Sequence, residues 1–286
     1  MYDKLETLAC GSEIQHGKYN NRIYLMKVGE NVKKTLPNFL IELAEKNNYS
    51  KIFAKVSESN VQNFYLNGYK KEAKIPYFYN GKENCLFLAY YLSDTRSVEN
   101  SLDIIDSNLD IAINKKNNGI SKKLPSNFKL CKCIENDVKE MAEIYKKVFQ
   151  SYPFPIHKPE YLLETMRTNI DYFGIKLNEK LIALSSAEID VKSSNVEMTD
   201  FATLPEYLGN GFAQHLLVEM ENEMIKKEIK TAYTIARAMS AGMNITFSKI
   251  GYNFAGKLTN NTNISGQIES MNVWYKNLNK ITNRST

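Results

Sequence analysis

A long regular pattern of apolar and polar positions lies in the second half of the chain. Strand-forming residues fill Val196–Leu204, and apolar residues then recur at helical spacing from Phe212 onward. Between them lie Gly209 and Gly211, which can adopt positive φ and let a ligand approach the backbone. The pattern predicts a strand, a short glycine turn and a long amphipathic helix.

The same two periodicities predict the remaining elements. Strands are predicted at 21–27, 51–56, 171–177, 180–190 and 230–237, and helices at 36–46, 58–66, 135–150, 161–168 and 243–250. Asn80-Gly81 between two strand-like runs predicts a hairpin. Two final strands, at 255–258 and 270–275, are predicted to enclose a polar loop. This order favours an α/β (α+β) fold with a mixed, mostly antiparallel sheet flanked by helices.

The chain is predicted to fold as two units joined by a polar connection. Residues 1–91 form an N-terminal α/β unit, and residues 128–286 form the unit that contains the glycine turn. Residues 92–127 are rich in Asn, Lys and Ser, which is typical of a linker, and one short helix is predicted around Leu102–Ile113.

A short internal repeat relates the two units. Residues 57–69 match residues 240–252 without gaps at four positions, and each copy follows a predicted strand. The matched pairs are Ser57/Ser240, Phe64/Phe247, Gly68/Gly251 and Tyr69/Tyr252. We therefore expect the first unit to be a smaller, degenerate partial copy of the second. Because no glycine turn precedes the first copy at the equivalent place, we expect only the second to bind a cofactor. The first copy is then either structural or shapes the substrate pocket.

Composition excludes several classes of function. The 286 residues are 43% hydrophobic and 24% charged, with a net charge of +5, as in an ordinary globular protein. The chain lacks a dense run of Lys and Arg interleaved with aromatic residues, so we do not expect nucleic-acid binding. It also lacks an apolar run long enough to span a membrane. We expect a cytoplasmic location. Cys131-x-Cys133 lacks the spacing of a zinc knuckle, and only three histidines are present, so we expect no metal site.

The glycine turn carries the first candidate chemistry. A turn that leads into a helix N-terminus leaves several N–H groups free, with a partial positive charge behind them, and so suits a phosphate or pyrophosphate. A plain turn between strand and helix is the alternative. Neither the P-loop pattern nor G-x-G-x-x-G occurs in the chain.

The stretch PEYLGNGFAQHLL resembles the pyrophosphate-binding motif of the GCN5-related N-acetyltransferases (GNAT), [QR]-x-x-G-x-[GA]. Leu208, Gly211 and Ala213 take its first, fourth and sixth positions, and Leu208 departs from the usual Arg or Gln, which should weaken binding. The resemblance implies acetyl-CoA as the co-substrate. The residues it implies for binding acetyl-CoA are Phe201, Ala202, Thr203, Leu208, Gly209, Asn210, Gly211, Phe212, Ala213 and Ser240.

Four longer segments are similar to a narrower family, the β-lysine N-acetyltransferases. They read GSEIQHGKYNNRIYLMK, VFQSYPFPIHKPEYL, AEIDVKSSNVEMTDFATLPEYLGNG and ISGQIESMNVWYKNL. The resemblance implies transfer of an acetyl group to the terminal amine of β-lysine, which gives an osmolyte. The implied partner is a small-molecule amine, and a homodimer is left open. Other acceptors (a polyamine, an aminoglycoside, a protein N-terminus) and a non-catalytic acyl-CoA-binding module are the alternatives.

Three carboxylates are candidates for the proton transfer that such a reaction needs. An ammonium group with a pKa of about 10.4 must lose a proton before its nitrogen can attack a thioester. Glu197 is ranked first, then Asp200 and Glu188, and those that are not the base would hold the cationic amines of the substrate. Strand alternation places Asp200 on the face opposite Glu197. The alternative for each is a solvated strand carboxylate.

The resemblance leaves the other roles less complete. It implies that a backbone N–H group near Phe201 donates a hydrogen bond to the oxyanion. It also places Phe247 where the family usually has a tyrosine that acts as the general acid. Ser240, Tyr252, Tyr275 or water then remain as the acid. Substrate contacts are expected from Tyr152, Phe154, His157 and Arg237, with Arg167 as a further cation for the substrate carboxylate.

Overall fold

The computed structural model describes residues 2–30, 34–120 and 123–278. The first part of the chain forms β1 (Lys4–Thr7), β2 (Glu13–Gly17), β3 (Arg22–Lys27), α1 (Leu36–Lys46), β4 (Lys51–Ser57), α2 (Val61–Leu66), β5 (Lys70–Tyr79) and β6 (Glu83–Tyr91). Two helices follow, α3 (Asp94–Ser97) and α4 (Leu102–Ile113). The last part forms β7 (Phe128–Lys132), α5 (Val138–Val148), α6 (Pro159–Thr168), β8 (Ile170–Leu177), β9 (Lys180–Asp190), β10 (Asn195–Thr203), α7 (Phe212–Lys226), β11 (Thr231–Arg237), α8 (Ala241–Lys249), β12 (Asn253–Ile264) and β13 (Gln267–Asn277).

All these strands form one continuous sheet of 13 strands in the order β1-β2-β3-β4-β6-β5-β12-β13-β11-β10-β9-β8-β7. Only the pairs β3/β4 and β10/β11 are parallel among the described strands, and the other neighbours are antiparallel. The predicted fold, a mixed and mostly antiparallel sheet flanked by helices, is confirmed. The strands β1, β2 and β7 were not predicted from the sequence.

The sheet contains the same arrangement twice. The elements β2-β3-α1-β4-α2-β5-β6 recur as β9-β10-α7-β11-α8-β12-β13, with the same strand order and directions. The matched aromatic pairs also recur, since Phe64 meets Tyr69 edge to face at 5.1 Å between centroids and Phe247 meets Tyr252 in the same way at 5.1 Å. A partial copy therefore precedes the second unit, as the sequence repeat predicted. We call these two arrangements the first and second copy.

The two copies join through β5 and β12. Ala73 lies opposite Gly256, and a Cβ atom on Gly256 would come within 2.2 Å of the Glu72 carbonyl oxygen. Gly256 also has φ +147°, so this close approach requires glycine. A shared core cluster spans the junction, with Tyr24 and Phe53 of the first copy packed among residues that include Tyr233 of the second.

The predicted polar loop between the last two strands is wrong. β12 and β13 continue through this region and are joined at Ser265-Gly266. Asn261 and Thr262 are buried, and the first copy contacts this stretch: Arg22 and Lys51 donate to the carbonyl oxygens of Asn261 and Thr259. The polar composition therefore reflects contact between the copies and not exposure to solvent.

The connection between the copies contains the predicted helix α4 with the expected bounds. Its Ile105 and Ala112 are buried, and the Asn108 side chain donates to the Met239 carbonyl oxygen at 3.2 Å. The domain boundaries at 91 and 128 stay a prediction. Parts of those ranges, residues 1, 31–33, 121–122 and 279–286, lie outside the described residues. Within the described ranges, no helix combines the length and apolarity that crossing a membrane requires.

Candidate active site

A cavity of about 620 Å³ opens where β10 and β11 separate. The two strands pair only from Asn195–Glu197 to Thr231–Tyr233, although β10 continues to Thr203 and β11 to Arg237. Beyond the paired region the backbones diverge, and residues of both strands line the space between them. The glycine turn closes one end of this cavity, and side chains of the first copy form part of its wall.

A β-bulge in β10 controls how the acidic residues face this cavity. Thr199 lies opposite Ser186 but Ala202 lies opposite Leu184, so β10 holds one extra residue, and Asp200 has φ +54°. Ser186 donates to the Asp200 carboxylate at 2.5 Å.

Ser186 and Glu188 are two residues apart in β9 and so share a face, and Glu188 lies directly opposite Glu197. Asp200 therefore lies on the face that carries Glu197, and the prediction of opposite faces is wrong because the bulge breaks the alternation. All three carboxylates line the cavity.

Glu197 and Glu188 form a pair of neighbouring carboxylates. Burial raises the pKa of Glu197 to about 7, the charge of Glu188 adds to the rise, and Lys55 and the Tyr233 hydroxyl oppose it. Burial likewise raises the pKa of Glu188. Neither carboxylate forms a salt bridge with any described residue. A carboxylate whose pKa lies near neutrality is a better proton acceptor than an exposed one.

Asp200 is held differently from the other two. The Tyr152 hydroxyl donates to Oδ1, and the Ser186 hydroxyl donates to Oδ2 at 2.5 Å. Burial raises the pKa of Asp200, while these hydrogen bonds work in the opposite direction. Both carboxylate oxygens are occupied, so Asp200 is placed to anchor the segment after α5 that carries Tyr152.

The glycine turn is open and presents free amides. Gly209 and Gly211 have φ +82° and +75°, and a Cβ atom on Gly209 would meet nothing within 4 Å. The backbone N–H groups of residues 209–213 make no hydrogen bond within the described part of the chain. This geometry fits a pyrophosphate group. Every residue expected to bind the co-substrate lines the cavity: Phe201, Ala202, Thr203, Leu208, Gly209, Asn210, Gly211, Phe212, Ala213 and Ser240.

Phe247 is buried at the edge of the cavity, and Phe201 meets it edge to face at 5.6 Å between centroids. Its contact with Tyr252 repeats the Phe64–Tyr69 contact of the first copy, so Phe247 packs as a core residue of the repeat. Ser240 lines the cavity, whereas Tyr252 and Tyr275, the other candidate acids, do not.

The expected substrate residues separate into two groups. Tyr152, Phe154 and Arg237 line the cavity. His157 does not, because its ring lies against Tyr2, with the hydroxyl 3.1 Å from Nδ1.

The two arginines expected to bind a carboxylate already have one. Arg237 donates through Nε and Nη2 to both carboxylate oxygens of Glu269, at 2.9 and 2.7 Å. Arg167 lies on the surface and makes the corresponding pair of bonds to Glu135. The assignment of a substrate carboxylate to Arg167, His157 or Arg237 stays a prediction, with the Nε/Nη2 edge of both arginines already filled by glutamates.

The first copy contributes residues that the sequence analysis missed, namely Arg22, Tyr24, Met26, Phe53 and Lys55. In β4, Ile52, Ala54 and Val56 pack into the core of the first copy, so Phe53 and Lys55 face the other way. A lysine inside the apolar run KIFAKV was the available signal. It could be interpreted only once the second copy was known to cover that face.

Lys55 brings positive charge to the acidic pair. Its Nζ lies 3.4 Å from the Tyr233 hydroxyl. Burial acts to lower the pKa of Lys55, but Tyr24 and Glu197 outweigh burial and hold it above the ordinary value. Lys55 is therefore an ammonium group facing the carboxylates from the first copy.

Comparison with known proteins agrees with this geometry. The model of the acetyltransferase (GNAT) family matches residues 138–243. A protein named beta-lysine N(6)-acetyltransferase from Methanococcus maripaludis is 39% identical over 93% of this chain and 96% of its own length. One of the same name from Methanosarcina mazei is 32% identical over 74% and 85%, respectively. The N-acetyltransferase YodP of Bacillus subtilis is 29% identical over 97% and 100%.

The relatives from Methanococcus maripaludis and Bacillus subtilis align with more than nine-tenths of the chain and so cover both copies. The relatives are N-acetyltransferases, which sets aside a non-catalytic acyl-CoA-binding module. The family uses acetyl-CoA as its co-substrate. This chain belongs to the acetyltransferase (GNAT) family and is an N-acetyltransferase.

Proposed function

We propose that this enzyme transfers the acetyl group of acetyl-CoA to the terminal amine of β-lysine, giving N6-acetyl-β-lysine, an osmolyte. The names of the two β-lysine N(6)-acetyltransferase relatives, aligned over most of the chain, support this acceptor. The observation that carries the proposal is the Glu188–Glu197 pair, which faces a cavity that ends at the open glycine turn. A cavity with several carboxylates suits an acceptor with two amino groups.

The turn binds the co-substrate in this proposal. The free N–H groups of residues 209–213, at the N-terminus of α7, hold the pyrophosphate. The gap between the diverging strands β10 and β11 holds the part of acetyl-CoA that runs from the pyrophosphate to the thioester. When bound there, acetyl-CoA supplies a thioester whose carbonyl carbon is open to attack. Ser240 and Thr203 line the same space.

Glu197 acts as the general base. It takes a proton from the terminal ammonium group, and the freed nitrogen lone pair forms a bond to the thioester carbonyl carbon. A backbone N–H near Phe201 donates to the oxygen that becomes negative. The carbon–sulfur bond then breaks, and the second proton of the attacking nitrogen passes through Ser240 or water to the leaving sulfur, which leaves the neutral amide and the thiol of CoA; a thiolate leaves readily without a stronger acid.

The other two carboxylates bind and position the acceptor. Glu188 lies beside Glu197 and is assigned to the second ammonium group of the substrate. Asp200 holds Tyr152, which with Phe154 lines the acceptor end of the cavity. The partner is thus a small-molecule amine. A cytoplasmic location and a homodimer stay predictions.

The test is thiol release from acetyl-CoA by the purified protein, with β-lysine, α-lysine, spermidine and no amine in parallel. The proposal predicts strong turnover with β-lysine and little with the others. Turnover with spermidine alone would keep the catalytic assignment and reject the acceptor. Release of thiol at the same rate without an amine would reject both.

A further inference from the structure

We propose that Arg22, which belongs to the first copy, binds the carboxylate of the acceptor. The first copy would then select amino acids over polyamines, while the second copy performs the chemistry. This inference rests on the proposed function of the cavity and adds a residue that recognises the substrate.

Three of the four arginines in the described residues have their Nε/Nη2 edge filled. Arg237 and Arg167 each place this edge against a glutamate, with both bonds between 2.7 and 2.9 Å. Arg96 donates from Nε to the Asn260 carbonyl oxygen and from Nη2 to the Asn20 carbonyl oxygen. In all three, the Nε/Nη2 edge is therefore filled by groups of the protein itself.

Arg22 is the exception. Its Nη1 donates to the Asn261 carbonyl oxygen and to the Thr262 hydroxyl, which fixes the guanidinium. Its Nε is buried without a partner, and Nη2 makes no hydrogen bond to any described residue. The Nε/Nη2 edge is the one that Arg237 uses for Glu269, and it suits a carboxylate with two parallel bonds.

The charge of Arg22 is also unbalanced. The side chain is only 4% exposed and forms no salt bridge with any described residue. The nearby acidic groups Asp3 and Glu72 already have partners: Asp3 accepts from Asn20 at 2.7 Å, and Glu72 accepts from Lys51 at 2.9 Å. A buried cation without an opposite charge is costly, and an incoming carboxylate would offset that cost.

Arg22 lies at a suitable place in the cavity. It lines the wall, and its guanidinium carbon is 5.4 and 5.5 Å from the ring centroids of Tyr24 and Phe53. Burial raises the pKa of Tyr24, and its phenol in turn lies close enough to Glu197 and Glu188 for their negative charges to raise this pKa further. Tyr24 is thus near both the Arg22 guanidinium and the acidic pair, and Arg22, Glu188 and Glu197 all belong to one cavity lining.

The test compares β-lysine with 1,4-diaminopentane, the same diamine without its carboxyl group. The wild-type enzyme should have a much higher kcat/KM for β-lysine. Arg22→Met should lower kcat/KM for β-lysine by roughly 100-fold or more, because two charge-assisted hydrogen bonds are lost. It should leave kcat/KM for 1,4-diaminopentane nearly unchanged. Arg22→Lys, which keeps the charge but not the two-bond geometry, should lie between Arg22→Met and the wild type.

Arg96→Met is the matched control, since Arg96 also joins the two copies but does not line the cavity. It should lower Tm while leaving the ratio of the two kcat/KM values unchanged. Equal losses for both amines in Arg22→Met and Arg22→Lys would show a structural role and overturn the proposal. A carboxylate-selective loss in Lys55→Met but not in Arg22→Met would assign the carboxylate to Lys55 instead.

The wild-type rates separate the two proposals. Equal rates with both diamines would overturn the carboxylate site while leaving an amine acetyltransferase in place. Failure to acetylate any amine would reject the proposed function, and the role of Arg22 with it.

Discussion

The two copies place different residues at the same positions of their parallel strand pairs. Counting from the first paired residue, Tyr24 and Phe53 of the first copy correspond to Glu197 and Tyr233 of the second. The first pair is two stacked aromatic rings at 4.6 Å between centroids, and the second is a carboxylate opposite a phenol. Tyr24, Phe53 and Glu197 line the same cavity, and the Tyr233 hydroxyl is the hydrogen-bond partner of Glu197. One copy therefore supplies a proton acceptor, and the other supplies an apolar wall.

The copies also differ where the leading strand of the parallel pair ends. In the second copy, β10 continues for residues 198–203 past the parallel pairing, and the open Gly209 turn follows. In the first copy only residues 26–27 of β3 extend past it. A Cβ atom on Gly29, which follows β3, would lie 2.2 Å from the Cys10 carbonyl oxygen. Backbone thus packs against Gly29, whereas the space beside Gly209 is free.

This comparison indicates how one architecture supports two roles. A co-substrate that carries a nucleotide needs a long gap between the two parallel strands and an open turn. In the first copy, backbone fills the space beside Gly29, and we propose that the face of its strands that lines the cavity meets the acceptor.

The largest expected effect comes from removing the proton acceptor. Glu197→Gln keeps the shape of the side chain but cannot accept the proton, so we expect kcat to fall by about 10²–10⁴-fold. The affinity for acetyl-CoA should stay the same, because the turn amides are untouched. Steady-state rates and calorimetric titration measure the two quantities.

Glu160→Gln is the control for this substitution, since Glu160 is an exposed glutamate of α6 outside the cavity. It should leave both quantities unchanged. If Glu197→Gln lowers acetyl-CoA affinity as much as it lowers kcat, the assignment of Glu197 as the base is wrong.

Alanine substitutions at the two turns should separate binding from stability. Gly29→Ala introduces a clash with backbone atoms, so the free energy of unfolding should fall by roughly 1–3 kcal/mol. The folded enzyme should keep its acetyl-CoA affinity. Gly209→Ala meets no atom, but alanine disfavours φ +82°, so we expect the turn to shift and affinity to fall about tenfold, or 1.4 kcal/mol.

Denaturant unfolding and calorimetric titration on both variants test this pair. The account fails if Gly29→Ala weakens acetyl-CoA binding and Gly209→Ala does not.

The pH dependence of kcat/KM should report the acidic pair. Glu197 must be deprotonated to act, so kcat/KM should fall as the pH drops through about 7. Glu188→Gln removes a negative charge that raises the pKa of Glu197, so the acidic limb should move to lower pH. Lys55→Met removes a positive charge that lowers this pKa, so the limb should move to higher pH.

Profiles measured for the wild type and both variants, with saturating acetyl-CoA, provide the check. Shifts of the same sign in Glu188→Gln and Lys55→Met would contradict the electrostatic assignment.

The smallest effect is expected from the acceptor segment. Tyr152→Phe removes the hydrogen bond to Asp200 but keeps the ring in the cavity, so KM for the amine should rise by a few fold, as expected for about 1 kcal/mol. The value of kcat should change little. Ser186→Ala removes the other hydrogen bond to Asp200 and serves as the matched comparison. A large fall in kcat with Tyr152→Phe would mean that Tyr152 takes part in proton transfer.

Much of the second copy could be predicted from the sequence because its signals are local. The helix from Phe212 and the turn at Gly209 follow from spacing and glycine chemistry, and in the first copy the helix from Leu36 likewise follows from periodicity. The face of β10 on which the Asp200 side chain lies could not be predicted, because the alternating sequence pattern does not reveal the β-bulge. Arg22 and Lys55 were missed for a different reason: their environment is created by a copy more than 130 residues away in the chain.

The central claim is that one copy binds the co-substrate and the other does not. Calorimetric titration of the purified full chain with CoA measures this directly. The account predicts one site per chain, weakened by Gly209→Ala and retained in the folded fraction of Gly29→Ala. Two sites per chain, or one site that Gly209→Ala leaves intact, would contradict it.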